Sequence, residues 1–227
     1  MLFLVLGRGK TGSLVAEVAA EHGHGVRVLG EEENHNAAAL TGPFLAGFDA
    51  VIDFTTPEAV QTHMRACLAN GARMVVGTTG WYSQLEDMRS LAARHGAGFL
   101  YGTNFSLGVQ GFLHVARAMA LALPHHEFSI TETHHADKKD APSGTALSIR
   151  QVLQAANPNL KVEIVSKREG DATGIHVIEA RSQNDVVELR HESFSRRGFA
   201  EGAVRAAEWI VGRIGVWEFS EIVSQLG

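Results

Sequence analysis

Residues 132–146 read ETHHADKKDAPSGTA, placing two histidines, two lysines and three carboxylates within a short span. An imidazole titrates near neutral pH, so His134 and His135 are candidate proton donors or acceptors. The neighbouring carboxylates Glu132 and Asp140 are expected to raise a histidine pKa. Lys138 offers a fixed positive charge, or an acid if its pKa is lowered. Pro142 then leads into an apolar helical pattern, Ala146, Leu147, Ile149, Val152 and Leu153. Proline is favoured at a first helical position, and the N–H groups of Ser143, Gly144 and Thr145 would face outward with the positive end of the helix dipole. The stretch reads as a socket for a small carboxylate-bearing substrate with a proton donor built in.

Three other readings compete. His134, His135, Asp137 and Asp140 carry metal-ligand chemistry, but adjacent histidines point apart on a strand and Lys138 opposes a cation, so no metal site is expected. Ser143 lacks the G-x-S-x-G elbow of a nucleophilic serine. A charged surface turn without chemistry is the plainest alternative.

A second chemical stretch opens the chain. An unbroken apolar run, MLFLVL, ends at Gly7-Arg8-Gly9-Lys10-Thr11-Gly12, and helical spacing follows through Leu14, Val15, Val18 and Ala19. A G-x-G-x-x-G turn between strand and helix is the fingerprint of a dinucleotide site. Gly7 permits the turn, Gly9 the approach of a pyrophosphate, and Gly12 close helix–strand packing. Lys10 would add a point charge, with Thr11 beside it in the turn. Glu31, after a strand over 25–29, stands where an acidic residue accepts from the adenine ribose hydroxyls, about 20 positions beyond the glycines. The run Glu31 to Glu33 would repel a 2′-phosphate and no Arg or Lys follows it, which favours NADH over NADPH.

Strands over 49–54, 73–76 and 98–101 end at Phe54-Thr55, Gly77-Thr78-Thr79 and Asn104-Phe105. Ligands in such sheets lie at the carboxyl ends of the strands. Small hydroxyl and glycine residues there suit a nicotinamide ribose and ring, with Asn104 as a hydrogen-bonding partner and Phe105 as a stacking surface. Thr56 and Pro57 read as the N-cap and first residue of a helix to about residue 70.

Strands alternating with helices predict a Rossmann-like, doubly wound parallel sheet. Beyond it, strands over 127–133, 161–166, 174–182 and 185–192 follow with few helices, which predicts a smaller α+β domain with a mixed sheet. The expected division is residues 1–105 with 197–227 for dinucleotide binding, and 106–196 for substrate binding and oligomerisation. Residues 200–214 read as a helix and 217–226 as a short terminal one.

The chain has 227 residues, a formal net charge of −5 and one cysteine. That balance argues against nucleic-acid binding. A lone Cys67, at an apolar helical position, fits a reducing cytoplasm. No run reaches a membrane span, and the apolar start lacks a basic region and cleavage site.

The pattern His134-His135-x-x-Lys138-x-Asp140-Ala-Pro-Ser-Gly-Thr-Ala closely resembles the signature of the 4-hydroxy-tetrahydrodipicolinate reductases, formerly dihydrodipicolinate reductases. The resemblance extends through the N-terminal glycine turn, Asp53-Phe-Thr-Thr-Pro57, Val76-Gly-Thr-Thr-Gly-Trp81, Asn104-Phe-Ser106, Gly174-Ile-His176 and Ser195-Arg-Arg-Gly-Phe199. It implies a dinucleotide-binding domain joined to a substrate and tetramerisation domain. It implies His134 as general acid or base, and Lys138 as proton donor and carboxylate ligand. It assigns His135, Ser143, Gly144 and Thr145 to the substrate carboxylates, and Gly7, Gly9, Gly12, Gly77, Thr79 and Asn104 to the cofactor. The implied reaction is reduction of 4-hydroxy-tetrahydrodipicolinate by NAD(P)H with loss of water, in lysine and diaminopimelate synthesis. The chain departs from the family at Gly30 and in its shortness between residues 31 and 48. A different amino- or imino-acid dehydrogenase, similar to aspartate dehydrogenase, and a non-catalytic NAD sensor are the competing functions.

Overall fold

The computed structural model describes residues 1–226. Its first stretch alternates strand and helix: β1 (Leu2–Leu6), α1 (Lys10–Glu21), β2 (Gly25–Leu29), α2 (Gly42–Leu45), β3 (Ala50–Asp53), α3 (Pro57–Ala69), β4 (Arg73–Val76), α4 (Leu85–His95) and β5 (Gly98–Tyr101). A second set follows: α5 (Leu107–Ala122), β6 (Glu127–His134), α6 (Gly144–Ala156), β7 (Val162–Arg168), β8 (Ile175–Arg181) and β9 (Val186–Glu192). The chain then forms α7 (Arg197–Ile210), β10 (Gly215–Glu218) and α8 (Phe219–Ile222). Two compact units result, Met1–Ser106 with Arg197–Gly227, and Leu107–Arg196.

The first unit holds a six-stranded sheet in the order β10-β5-β4-β3-β1-β2, parallel throughout. Its central strands are covered on both faces, which is why they read as unbroken apolar runs rather than alternating ones. Phe3, Val5, Ile52 and Val75 are fully buried, as are Leu4, Met74 and Phe99. From β1 the chain first moves outward to β2 and then crosses to β3, so the order reverses between β1 and β3. Ligands of such sheets sit in the crevice at that reversal, here at Gly7 and Phe54. Thr56 caps α3, its Oγ1 accepting from the Ala59 N–H at 3.4 Å, and Pro57 opens the helix.

The C-terminal reading needs correction. Residues 215–218 are not helical but form a parallel edge strand, with Val216 opposite Phe99 and Trp217 opposite Leu100. Extended backbone suits Val and Trp, and the sheet edge supplies a ladder that no local pattern announces. Gly212, at φ +76°, ends the preceding helix four residues earlier than its apolar pattern suggests.

The second unit has a four-stranded sheet, β7-β6-β8-β9. β6 pairs with β7 in parallel and with β8 antiparallel, so the sheet is mixed. Phe128, Ile130, Ile178 and Ala180 point to one face and pack with Phe112, Ala116, Ile149 and Leu153 of α5 and α6. Alternation along β6 therefore sends Glu132 and His134 to that same inward face.

Candidate active site

In the first unit, Gly7 lies at φ +105°, and a Cβ there would collide with the Phe54 carbonyl. A Cβ on Gly12 would strike the Gly7 carbonyl. Both positions require glycine, and the turn so closed aims the N-terminus of α1 into a crevice of about 430 Å³. Gly7, Gly9, Glu31, Phe54 and Thr55 line that crevice together. Lys10, Thr11 and Gly12 sit in the first turn of α1 beyond its lining, and Lys10 faces solvent. The cation at the crevice is Arg8, which the sequence reading passed over. Its guanidinium pairs with Glu33, whose other oxygen accepts from the Gly30 N–H at 2.8 Å.

Gly77, Thr78 and Thr79 follow β4, and Asn104 and Phe105 follow β5. Thr78 is buried and turned inward: its hydroxyl donates to Asp53 Oδ1 at 2.7 Å and accepts from the Thr55 N–H at 2.8 Å. Asp53 is itself fully buried, and its Oδ2 lies 2.8 Å from His63 Nδ1. His63 Nε2 in turn faces Asn34 Nδ2 at 3.1 Å, an arrangement in which the ring donates through Nδ1 and accepts through Nε2. This buried chain fixes the Phe54-Thr55 corner and links it to the wall near Glu31. Its members are far apart in sequence, and the apolar run of β3 gave no sign of them. Phe105 is not an exposed stacking surface. Its ring is enclosed, 4.5 Å from that of Phe219 and 6.1 Å from that of Phe54.

In the second unit, the end of β6 carries a charge cluster centred on Glu132, which has no solvent exposure. Oε1 of Glu132 accepts from the Ser143 amide at 3.1 Å and from Arg168 at 3.1 Å. Oε2 lies 3.0 Å from Nδ1 of His134 and 3.9 Å from Nε2 of His176. Arg168 also donates to the carbonyls of Lys138 and Asp140, and so holds the 138–140 turn against β7. Lys138 Nζ pairs with both oxygens of Asp140, at 2.7 and 2.9 Å. His135, the first residue after β6, is half-buried.

Two expectations change here. The helix begins at Gly144, with Ser143 as N-cap and Pro142 outside it. The Ser143 hydroxyl accepts from the Ala146 N–H and lies 3.2 Å from His176 Nε2, so this side chain is engaged within the fold. Gly144 and Thr145, the first two helical residues, keep N–H groups that have no intrahelical acceptor. Moreover, the carboxylates Glu132 and Asp140 do push the His134 pKa upward, as expected, but the net shift is downward. Burial lowers the His134 pKa, Glu132 opposes that, and the charges of Lys138 and Arg168 add to the lowering. Burial likewise brings His176 down to about 4, helped by His134. For Glu132, burial pushes upward, but hydrogen bonds from Ser143, Ser166 and Arg168 outweigh it and hold the carboxyl at about 2.

Sequence reasoning missed Arg168 and the buried role of Glu132, and gave His176 none. The period-2 pattern Phe128, Ile130, Glu132, His134 was a usable signal for the latter two positions, since it continues an apolar face into titratable groups. Glu132, His134 and His176 also bring three ligand-type atoms within 4.8 Å of one another. The Arg168 guanidinium already neutralises that carboxylate, which disfavours a cation there.

A Rossmann-like sheet with a glycine-closed turn, joined in one chain to an α+β unit, defines a nicotinamide-dependent oxidoreductase. Residues 1–105 match the family described as dihydrodipicolinate reductase, N-terminus, and residues 108–223 match its C-terminus, so the chain belongs to the dihydrodipicolinate reductase family. It is 31% identical to a 4-hydroxy-tetrahydrodipicolinate reductase of Christiangramia forsetii, covering 100% of this chain and 99% of the relative. It is 35% identical to one of Natronomonas pharaonis, over 95% and 96% of the two chains. Among solved structures it is similar to a dipicolinate-bound dihydrodipicolinate reductase of a Paenisporosarcina species, with a TM-score of 0.80, 25% identity, and 98% and 99% coverage.

Proposed function

We propose that the chain reduces 4-hydroxy-2,3,4,5-tetrahydrodipicolinate to 2,3,4,5-tetrahydrodipicolinate, with release of water, in lysine and diaminopimelate synthesis. The observation that carries the reading is the juxtaposition in the second unit of His134, Lys138 and the open amides of Gly144 and Thr145 on one short connection from β6 to α6. A cyclic dicarboxylate meets there a helix N-terminus, an ammonium group and an imidazole. The glycine-closed crevice of the first unit fits a dinucleotide pyrophosphate. The reduced nicotinamide, when bound, supplies the hydride.

The balance is one hydride and one proton gained by the substrate and one water lost. Lys138 binds a substrate carboxylate and donates the proton. His134, its pKa lowered by burial, is predominantly uncharged near pH 7 and serves as base or proton relay. His135, Gly144 and Thr145 hold the carboxylates, while Ser143 positions the helix end from beneath. On the cofactor side, Gly7, Gly9, Lys10, Thr11 and Gly12 hold the pyrophosphate. Phe54, Thr55, Gly77, Thr78, Thr79, Asn104 and Phe105 shape the nicotinamide end through side chain or backbone.

NADH is the preferred donor in this reading. Glu31 lines the crevice as acceptor for the ribose hydroxyls, and Arg8, the one Lys or Arg lining it among the described residues, is tied to Glu33. The enzyme is read as a cytoplasmic homotetramer. Among the described residues no helix is long and apolar enough to cross a membrane, and the outward side of the second sheet and its flank expose Val165, Val186 and Phe194.

The test is a coupled assay that generates the substrate in place and follows the nicotinamide absorbance with NADH and with NADPH. Turnover inhibited competitively by dipicolinate supports the proposal. Oxidation of neither cofactor, or equal oxidation without the substrate, refutes it.

A further inference from the structure

Outside the glycine-closed crevice, four side chains of the first unit converge where the end of α1 and the start of β2 meet α7. His22 closes α1, Gly23 turns the chain at φ +80°, and His24 precedes β2. Across from them, Glu201 and Glu208 lie two turns apart on α7 and so share one face. His22 Nδ1 and His24 Nε2 approach the same carboxylate oxygen, Oε1 of Glu208, at 3.1 and 2.8 Å. All three atoms lie within 4.8 Å of one another.

We propose that His22, His24 and Glu208 bind one divalent cation of the zinc class, with Glu201 as the carboxylate that orients His22. The donor set, two imidazoles and a carboxylate, is one that zinc accepts while leaving a fourth position to water. Bonds of about 2.0–2.1 Å in a tetrahedral arrangement put ligand atoms roughly 3.3 Å apart, so each nitrogen need draw away from Glu208 Oε1 by only a few tenths of an ångström.

The surroundings supply what a metal-binding imidazole needs. His22 Nε2, the ring nitrogen left over, lies 3.3 Å from Glu201 Oε2. Ligating histidines typically give that second N–H to a carboxylate, which fixes ring and tautomer. Glu201 is held in its turn by Arg197, whose guanidinium lies 3.1 Å from Oε1. His24 is set by packing: its ring centroid is 4.7 Å from that of the fully buried Phe3, and its side chain is 10% exposed. Arg197 also pairs with Glu17 and Glu21 of α1. The competing account is a metal-free trio of histidine–glutamate hydrogen bonds. In it His22 bridges the carboxylates of Glu208 and Glu201 through its two ring nitrogens and His24 shares Glu208, and uptake of an ion at these residues is what separates the two accounts. A bound ion would clip the first strands of the sheet to the helix that returns late in the chain.

Full-length protein stripped with a chelator is titrated with Zn²⁺ by calorimetry, with Co²⁺ as a spectroscopic probe and the thermal midpoint as a second readout. One equivalent per chain is expected, with Kd of about 1 μM or tighter, a Co²⁺ spectrum of four-coordinate type, and a rise in Tm that follows the ion concentration. His24→Ala and Glu208→Gln should each weaken binding by about tenfold or more. His22→Gln, at a part-exposed ring, is the variant that reads the site if the other two fail to fold, and it leaves reductase turnover unchanged. The proposal is overturned if Zn²⁺ at tens of μM shows no uptake, or if folded variants take up the ion like the parent, as they would were it held at His134 and His176.

Discussion

Oε2 of Glu132 lies 3.0 Å from Nδ1 of His134, in ion-pair range but without an aligned hydrogen bond between them. The other oxygen of this fully buried carboxylate is held by Arg168 and by the Ser143 amide. Glu132 thus joins His134, the signature turn and the start of α6. In Glu132→Gln, Arg168 loses its counter-charge, and breaking a buried pair costs several kcal/mol. The carboxyl sits at about 2 in the fold against an ordinary 4.5, so its contribution, about 3 kcal/mol, is complete above pH 4.5 and is lost as pH falls toward 2. Urea unfolding of the parent should show stability falling through that window. The variant should be less stable at pH 7 and lack that part of the acid dependence. Equal stability at pH 7 would remove Glu132 from this role.

The same substitution has a kinetic consequence. Glu132 is the leading influence opposing the burial-driven lowering of the His134 pKa. Its neutralisation should move the limb of the kcat/KM–pH profile that reports His134 to lower pH. An unmoved limb would assign that titration to another group.

Much of this was legible in the sequence, for identifiable reasons. β1, β3 and β5 are buried on both faces, and their apolar runs announced them. Gly7 and Gly12 were legible because glycine there answers a local steric demand. β10 was not, because four residues with no apolar period take their strand conformation from β5. The Asp53, His63 and Asn34 network was hidden because its partners meet only after β3, α3 and the segment after β2 have packed. The direction of the His134 shift was misjudged for a similar reason. Neighbouring charges are visible in a sequence, whereas burial is a property of the finished sheet.

His134→Gln and Lys138→Ala should each lower kcat by about 10²–10⁴-fold, the range for loss of a positioned proton donor or acceptor. Lys138 lies on an open turn and pairs locally with Asp140, so its variant should keep the parent's Tm within a degree or two. It should also raise the inhibition constant of dipicolinate, since a carboxylate partner is gone. Near-normal turnover in both variants would show that proton transfer takes place elsewhere.

Gly12→Ala places a Cβ against the Gly7 carbonyl, a backbone atom that no rotamer change can move aside. The helix must shift from β1, at a cost of about 1–3 kcal/mol for overpacking. Because the displaced residues are those proposed to hold the pyrophosphate, NADH affinity should fall while dipicolinate binding to the second unit is retained. Nicotinamide fluorescence titration and calorimetry with dipicolinate separate the two. Parallel loss of both would point to general unfolding instead.

Glu31 and Arg8 both line the crevice of the first unit, and the proposed function assigns the choice of cofactor to them. In that proposal, Glu33 engages the Arg8 guanidinium, so the wall would present net negative charge to an adenine ribose and would repel a 2′-phosphate. Glu31→Ala should lower kcat/KM with NADH and leave that with NADPH unchanged or higher, moving their ratio by about tenfold. Glu33→Ala should release Arg8 and favour NADPH without touching the NADH contact, and in the double variant the two effects should combine. If the parent already uses NADPH more efficiently, Arg8 prevails over its ion pair with Glu33, and the Glu31 assignment fails.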